Sequence, residues 1–306
     1  MSRFVIIDGH AIAHRAYHSI PPLSTSGQPV NAIYGFYSML LSAIDVLKPR
    51  YLAVCLDSPG PTFRQTEFLG YRAKRRPPEP ALIAQLPLLP QTLETANISH
   101  FAIGGYEADD LIASLTTKAL QKKKSLKVTI ITGDKDLMQL VNDRVELFVP
   151  IRGLSETKIF GSDQVKEKLG VTPSQVIDLK ALMGDMSDNY PGVAGVGPKA
   201  ATDLLAQYHT LDEVYSHLKE IPSSLRQKLE EGQDNAYLSQ KLATLIHNIP
   251  LKFSLKSTRF SQTQIQGLIS LFQQYHFKSL SSRLQKRSSL KSKGGPKSNS
   301  HQASLF

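Results

Sequence analysis

An α/β protein with a mostly parallel central sheet and helices on both faces is predicted by two observations. Residues 3–8 (RFVIID), 51–57 (YLAVCLD) and 127–132 (KVTIIT) are short, nearly continuous apolar runs, the pattern of strands buried on both sides. Between them lie longer stretches of helical periodicity at 31–48, about 81–96 and 107–121, so strands alternate with helices as in a doubly wound sheet. In such sheets ligands bind beyond the carboxyl ends of the strands. Asp8 and Asp57 end the first two runs and Asp134 follows the third, so all three are expected there.

Residues 59–80 (PGPTFRQTEFLGYRAKRRPPEP) break this alternation with prolines, aromatics and a basic cluster. They predict a mobile, arch-like excursion, spanning about 59–95 with its following helix, and not core. From about 162 the strand signal fades and helices dominate, with Thr172-Pro173 and Gly197-Pro198 marking helix starts. After about 282 the chain turns to Ser, Lys, Gly and Asn, a composition that cannot offset the entropy of ordering. The expected organisation is therefore an α/β core over 1–160, a helical region over 161–282 and a disordered basic tail over 283–306.

The chain has 306 residues, 41% of them hydrophobic, enough for one good-sized core or two modest ones. Its single cysteine, Cys55, excludes a disulfide framework and a cysteine zinc cluster, and suits a reducing compartment. The apolar run at the N-terminus is too short for a signal peptide, and no later stretch approaches the ~20 apolar residues of a membrane span. A cytoplasmic protein is expected. The net charge of +10 invites a nucleic-acid reading, but six of the basic residues (Arg283, Lys286, Arg287, Lys291, Lys293, Lys297) lie in the tail, leaving +4 elsewhere.

The acidic residues are more informative. Gly105-Tyr106-Glu107-Ala108-Asp109-Asp110 opens a predicted helix on which Glu107 and Asp110 share a face while Asp109 points elsewhere. Taken singly, acids in a first helical turn are ordinary dipole and capping residues. Asp134 in Thr132-Gly133-Asp134-Lys135-Asp136 has the bland reading of a helix cap, and Gly184-Asp185-Met186-Ser187-Asp188-Asn189 that of a polar turn. Their convergence changes the reading, because like charges crowded at three strand ends are costly unless cations neutralise them. A donor set of carboxylate oxygens points to hard ions, Mg²⁺ or Mn²⁺. Two such ions about 4 Å apart polarise a phosphodiester and activate a water. His10, His14 and His18 repeat every four residues along one helix and are expected to pack or face solvent.

Together with Val5-Ile6-Ile7-Asp8-Gly9-His10, Arg15-Ala16-Tyr17-His18 and Thr132-Gly133-Asp134-Lys135-Asp136-Leu137, these motifs resemble the 5′–3′ exonuclease domain of bacterial DNA polymerase I and the related phage and cellular flap endonucleases, over roughly residues 3–280. With no polymerase region after it, the chain looks like a free-standing relative. The resemblance implies a first metal held by Asp8 (directly or through water), Asp57, Glu107 and Asp109, and a second by Asp134, Asp136, Asp185 and Asp188, with Asp110 between them. It implies a structure-specific 5′ nuclease that removes flaps and primers from DNA with 5′ flaps, nicks or frayed ends. Two alternatives stand beside it: a structure-specific DNA-binding protein with little catalysis, and an RNA-cleaving nuclease on a similar acidic scaffold.

The segment from Pro191 to Ala201 (PGVAGVGPKAA) is a glycine-paced turn entering a helix, with N–H groups free to meet a phosphate. It resembles the family's helix-hairpin-helix, placed at about 185–206, with Gly192, Gly195, Gly197 and Lys199 as DNA contacts; the resemblance also implies a K⁺ ion bridging the turn carbonyls to phosphate. Such backbone contacts select shape and not base sequence. In the arch, Arg64, Tyr71, Arg72, Lys74, Arg75 and Arg76 are expected to draw in a single-stranded 5′ segment, with Tyr71 stacking on a base. Relatives usually carry Tyr-Lys near Tyr71-Arg72, so Arg72 and Arg75 are the candidates for the scissile phosphate. Finally, Gln302-Ala303-Ser304-Leu305-Phe306 resembles the bacterial sliding-clamp pentapeptide, Ala303 being the departure; Gln302, Leu305 and Phe306 would enter the clamp groove, presented on a tether.

Overall fold

The computed structural model describes residues 2–152 and 156–292. Six strands form one sheet in the order β5-β4-β1-β6-β7-β8. The chain enters through β1 (Ser2–Asp8), runs through α1 (Gly9–Ser19), the small β2 (Ser24–Thr25) and β3 (Gln28–Pro29) hairpin and α2 (Asn31–Leu47), and returns in β4 (Tyr51–Cys55). The arch region follows as three short helices, α3 (Phe63–Glu67), α4 (Pro80–Ile83) and α5 (Leu88–Thr95). Then come β5 (His100–Phe101), α6 (Ala108–Lys122), β6 (Leu126–Ile131), β7 (Val145–Arg152) and β8 (Glu156–Phe160). Within the six-stranded sheet all pairings are parallel except β7 with β8.

The alternation of β1 divides the core. Phe4 and Ile6 face a layer with Leu111, Ile112 and Leu115 of α6. Val5 and Ile7 face the opposite layer, with Ile12 of α1 and Phe36, Leu40 and Ile44 of α2. Covering both faces is what demands the uninterrupted apolar runs. Gly9 is required by the same packing: a Cβ there would sit 2.4 Å from Leu56 and 2.8 Å from Val54, so only glycine lets α1 leave the sheet this close to β4.

The remaining helices are α7 (Ser162–Leu169), α8 (Val176–Met183), α9 (Pro198–Tyr208), α10 (Leu211–Ser216), α11 (Ser223–Glu231), α12 (Gln233–Ala243), α13 (Gln262–Gln274) and α14 (Lys278–Ser292). Residues from α8 to α12 extend the first core layer, whereas α13 and α14 close the second over α2 and α5. The expected disorder from 283 needs correction, because α14 runs on to Ser292 and Arg283 bonds Asp45 and Ser42 of α2. Among the described residues no helix is long and apolar enough to cross a membrane.

Candidate active site

Reversal of the strand order at β1 and β6 leaves a crevice at their carboxyl ends. Asp8 closes β1 and caps α1: its Oδ1 accepts from Ala11 N at 3.1 Å, and its Oδ2 accepts from the Thr132 hydroxyl at 2.9 Å. Thr132 Oγ1 in turn accepts from Asp134 N, and Asp134 Oδ1 accepts from Asp136 N at the start of the short 3₁₀ turn Asp136–Leu140, whose N-cap is Lys135. Asp134 is thus linked to Asp8 through Thr132, while the cap position expected of it belongs to Lys135. Asp57, just beyond β4, accepts from Ala108 N at 2.9 Å, which docks the start of α6 on the same crevice. His10 Nδ1 lies 3.3 Å from Asp57 Oδ2, beside the acids; the His14 and His18 rings meet at a tilt of 55° further along α1.

Electrostatics show how tightly the acids are drawn together. Burial, reinforced by the charges of Asp57 and Asp134, pushes the Asp8 carboxyl up to about 7. Burial and the charges of Asp134, Asp8, Asp136 and Asp57 raise Asp109 well above the carboxylate range. Asp136 is likewise pushed up to about 7 by burial and Asp134, against the opposing pull of Lys180. Asp57 goes the other way, because contacts from His10 and the Ala108 N–H outweigh its burial. The charges acting on Asp109 are thus those of the strand-end acids, whereas Glu107 and Asp110, which share a helix face, meet Arg64 and Arg72 of the arch.

There the structure corrects three expectations. Arg64 is not a DNA-facing cation: it is 2% exposed, and its guanidinium makes paired bonds of 2.8 and 2.9 Å to Asp110 and donates to the carbonyls of Leu242 and Thr244. Asp110, 0% exposed, also accepts from Ile246 N and Glu107 N, so its oxygens are saturated by protein donors and do not lie between two ions. Nor is Tyr71 set to stack on a base. It is buried, and its hydroxyl donates to Glu107 Oε2 at 3.1 Å and Asp188 Oδ2 at 3.2 Å. The arch is consequently packed onto the site and not held away from it.

Arg72 reaches the same two acids, Nε to Asp188 Oδ1 at 3.0 Å and Nη2 to Glu107 Oε2 at 3.3 Å, and Arg75 adds a 3.3 Å contact to Asp188. Lys74 and Arg76 are exposed. On the far side, Lys180 of α8 bonds Asp136 and lies 2.7 Å from Asp185. Although burial opposes it, the charge of Lys180 with donors from Ser187 and Asp188 N holds Asp185 down to about 2. Lys180 was not singled out from the sequence; the available signal was a lysine inside the apolar helix VIDLKALM, five residues before Asp185. With these cations in place, no three His, Cys, Asp or Glu side chains among the described residues form a ready coordination cage. The donor chemistry nonetheless fits hard divalent ions: carboxylate oxygens, buried, mutually repelling, with Asp8 and Asp109 lacking a cationic partner.

The glycine-paced turn joins α8 to α9. Gly192 is buried there, its N–H donates to Ser239 Oγ at 2.9 Å, and a Cβ at its φ of +59° would lie 2.1 Å from Gly184 N. Gly192 is thus a packing glycine, contrary to the expected DNA contact. Gly195, Gly197 and Lys199 are exposed, and Gly197 N-caps α9 with no side-chain capping hydrogen bond among the described residues. Lys228 Nζ stands 3.3 Å from the Gly195 carbonyl. Gln302, Leu305 and Phe306 of the tail lie outside the described residues.

Two family models match the chain: the 5′-3′ exonuclease N-terminal resolvase-like domain over residues 3–170 and the 5′-3′ exonuclease C-terminal SAM fold over 171–266. The chain belongs to the 5′-3′ exonuclease family. It is 32% identical to the 5′-3′ exonuclease of Bacillus subtilis across 93% of this chain and 97% of that protein. It is 41% identical to DNA polymerase I of Caldicellulosiruptor bescii over 92% of its own length, and spans about a third (33%) of that relative. Among solved structures it resembles the zinc-bound T5 5′-exonuclease (TM-score 0.65, 22% identity, 92% of this chain and 98% of that one) and the catalytic core of Rad2 in complex with DNA substrate (TM-score 0.59, 14% identity, 92% and 90%). These likenesses establish the resolvase-like α/β fold with its helical C-terminal region.

Proposed function

We propose that this chain is a structure-specific 5′ nuclease, a 5′–3′ exonuclease and flap endonuclease acting on DNA in replication and repair, dependent on Mg²⁺ with Mn²⁺ able to substitute. The observation that carries the reading is the convergence of Asp8, Asp57, Asp109 and Asp134 at the carboxyl ends of β1, β4 and β6, where burial and the charges of neighbouring aspartates push the Asp8 and Asp109 carboxyls up. Asp8, Asp57, Glu107 and Asp109 would hold one divalent ion, and Asp134, Asp136, Asp185 and Asp188 a second. Bound ions supply Lewis-acid polarisation of the phosphodiester and a lowered pKa for the attacking water.

The protein's own groups do the rest. Thr132 and the α1 start orient Asp8, and the Ala108 N–H orients Asp57, so neither carboxylate must be ordered when substrate arrives. Arg72 and Arg75 carry positive charge beside the acids, where a scissile phosphate would need it. Exposed Gly195, Gly197 and Lys199 at the start of α9 offer N–H groups and a cation to one duplex strand, a grip indifferent to sequence. Gly195 O, already the acceptor for Lys228, is among the carbonyls a K⁺ would use. The relatives named for DNA and for divalent ions support this reading. Cytoplasmic residence and clamp tethering through Gln302, Leu305 and Phe306 belong to the same proposal.

The test is cleavage of a labelled 5′-flap duplex beside single-stranded DNA and RNA, with and without chelator, by the wild type and Asp134→Asn. Metal-dependent cutting near the junction, reduced at least roughly 100-fold by the substitution, is expected. Tight flap binding with no cutting in Mg²⁺ or Mn²⁺ would establish the binding-protein alternative instead, and preferential cutting of single-stranded RNA the ribonuclease.

A further inference from the structure

Arg72 has three features that its expected role toward a single-stranded 5′ segment does not explain. Its guanidinium bridges Glu107 and Asp188, one acid from each of the two proposed ion sites, at 3.3 and 3.0 Å. Those carboxylates are only 5% and 8% exposed, whereas Arg72 retains 22%, so the arginine covers them like a stopper. And its backbone sits at φ +56°, a left-handed conformation that is unfavourable for a side chain of this size.

The surroundings hold that conformation in place. Arg72 N–H donates to Asp188 O at 2.8 Å, Asn189 Nδ2 donates to Gly70 O at 2.6 Å, and the Tyr71 hydroxyl bonds the same two carboxylates. Arg75 adds its contact to Asp188. The side-chain hydrogen bonds and ion pairs of Tyr71, Arg72 and Arg75 in this latch all end on carboxylate oxygens that a divalent ion would take. Strain of this kind persists only where neighbouring contacts over-determine it, so the latch is loaded to open once its acceptors are lost.

We infer that Arg72 is an internal competitor for the metal-binding carboxylates: the closed arch and the ion-loaded site are mutually exclusive states, and ion binding opens the arch. The inference rests on the metal-nuclease reading above. Glu107 and Asp188 exchange a guanidinium for a harder, more highly charged cation, Arg72 relaxes out of the left-handed region, and the freed guanidinia of Arg72 and Arg75 become available to a phosphate. Because linkage is reciprocal, whatever factor the latch subtracts from ion affinity, ion binding subtracts from arch closure.

The experiment uses the full chain without DNA, so no turnover enters. Mg²⁺ is titrated by calorimetry while amide hydrogen exchange is followed across residues 68–76, for the wild type, Arg72→Gln and Arg72→Gly. Glutamine removes the charge and keeps most of the bulk; glycine removes the charge and accepts the positive φ without strain, so at least one variant keeps the native fold, checked by circular dichroism. Exchange in 68–76 should accelerate with the same midpoint as the calorimetric isotherm, and both variants should bind Mg²⁺ at least about fivefold more tightly than the wild type. Binding that leaves 68–76 protected, or unchanged affinity in both variants, overturns the inference while the nuclease reading stands. Failure of that reading shows differently, as no binding heat in any of the three proteins, and removes the inference with it.

Discussion

Arg64 and Asp110 share two hydrogen bonds, 2.8 and 2.9 Å long, at the point where the arch, the start of α6 and the segment after α12 meet. Neither is open to solvent, and each has further backbone partners: Arg64 the carbonyls of Leu242 and Thr244, Asp110 the N–H groups of Glu107 and Ile246. The pair anchors the base of the arch to the helical region and sets the entry of α6, and so the aim of Asp109.

Breaking that pair on one side leaves an uncompensated buried charge. Asp110→Ala is expected to cost about 3–5 kcal/mol of unfolding free energy, measured by urea denaturation. A loss below about 1 kcal/mol would show that Asp110 is not the anchor described.

The raised carboxyls at Asp8 and Asp136 make stability depend on pH. An acid whose folded pKa lies above its unfolded value stabilises the fold below the unfolded pKa, and that contribution is lost as pH rises through the folded value, here about 7. Asp57 and Asp185 have lowered values and are already ionised above pH 5, so they do not oppose the trend there. Chelator-treated protein should therefore melt at a higher temperature at pH 5.5 than at pH 8, and excess Mg²⁺ should close the gap. A melting temperature that rises with pH in chelator would contradict the electrostatics of the cluster.

In the hairpin turn, Gly192→Ala and Lys199→Ala should separate folding from binding. The alanine Cβ at 192 has no room and the backbone is left-handed, so melting temperature should fall. Lys199 is exposed, so its replacement should leave melting unchanged, weaken duplex binding, and reduce the slope of log K against log salt by about 1. An unchanged salt slope would remove Lys199 from the phosphate contacts.

Deleting residues 302–306 should abolish binding to a bacterial sliding clamp, measured by surface plasmon resonance, while cleavage of free flap oligonucleotides continues at the wild-type rate. Undiminished clamp binding by the truncated chain would place the contact elsewhere.

The residues that determine the fold are legible by themselves, because the nearly unbroken apolar runs VIID, LAVC and VTII suit strands covered on both faces, and an aspartate after such a strand has nowhere to go but the sheet's carboxyl edge. The helical spacing of Glu107, Asp109 and Asp110 likewise puts Asp109 on a different side of α6 from Asp110, whose oxygens are taken by Arg64. Which cation each acid meets was decided only in three dimensions. Arg64 and Lys74 are both basic residues of one loop, yet Arg64 lies buried against Asp110, 46 positions away, while Lys74 faces solvent. Lys180 reaches Asp136 across 44 residues, and Arg72 reaches Asp188 across 116. Periodicity records which side of an element is buried; it carries no record of partners that distant, because a long-range ion pair depends on the relative placement of whole elements, and that is settled when the two core layers pack.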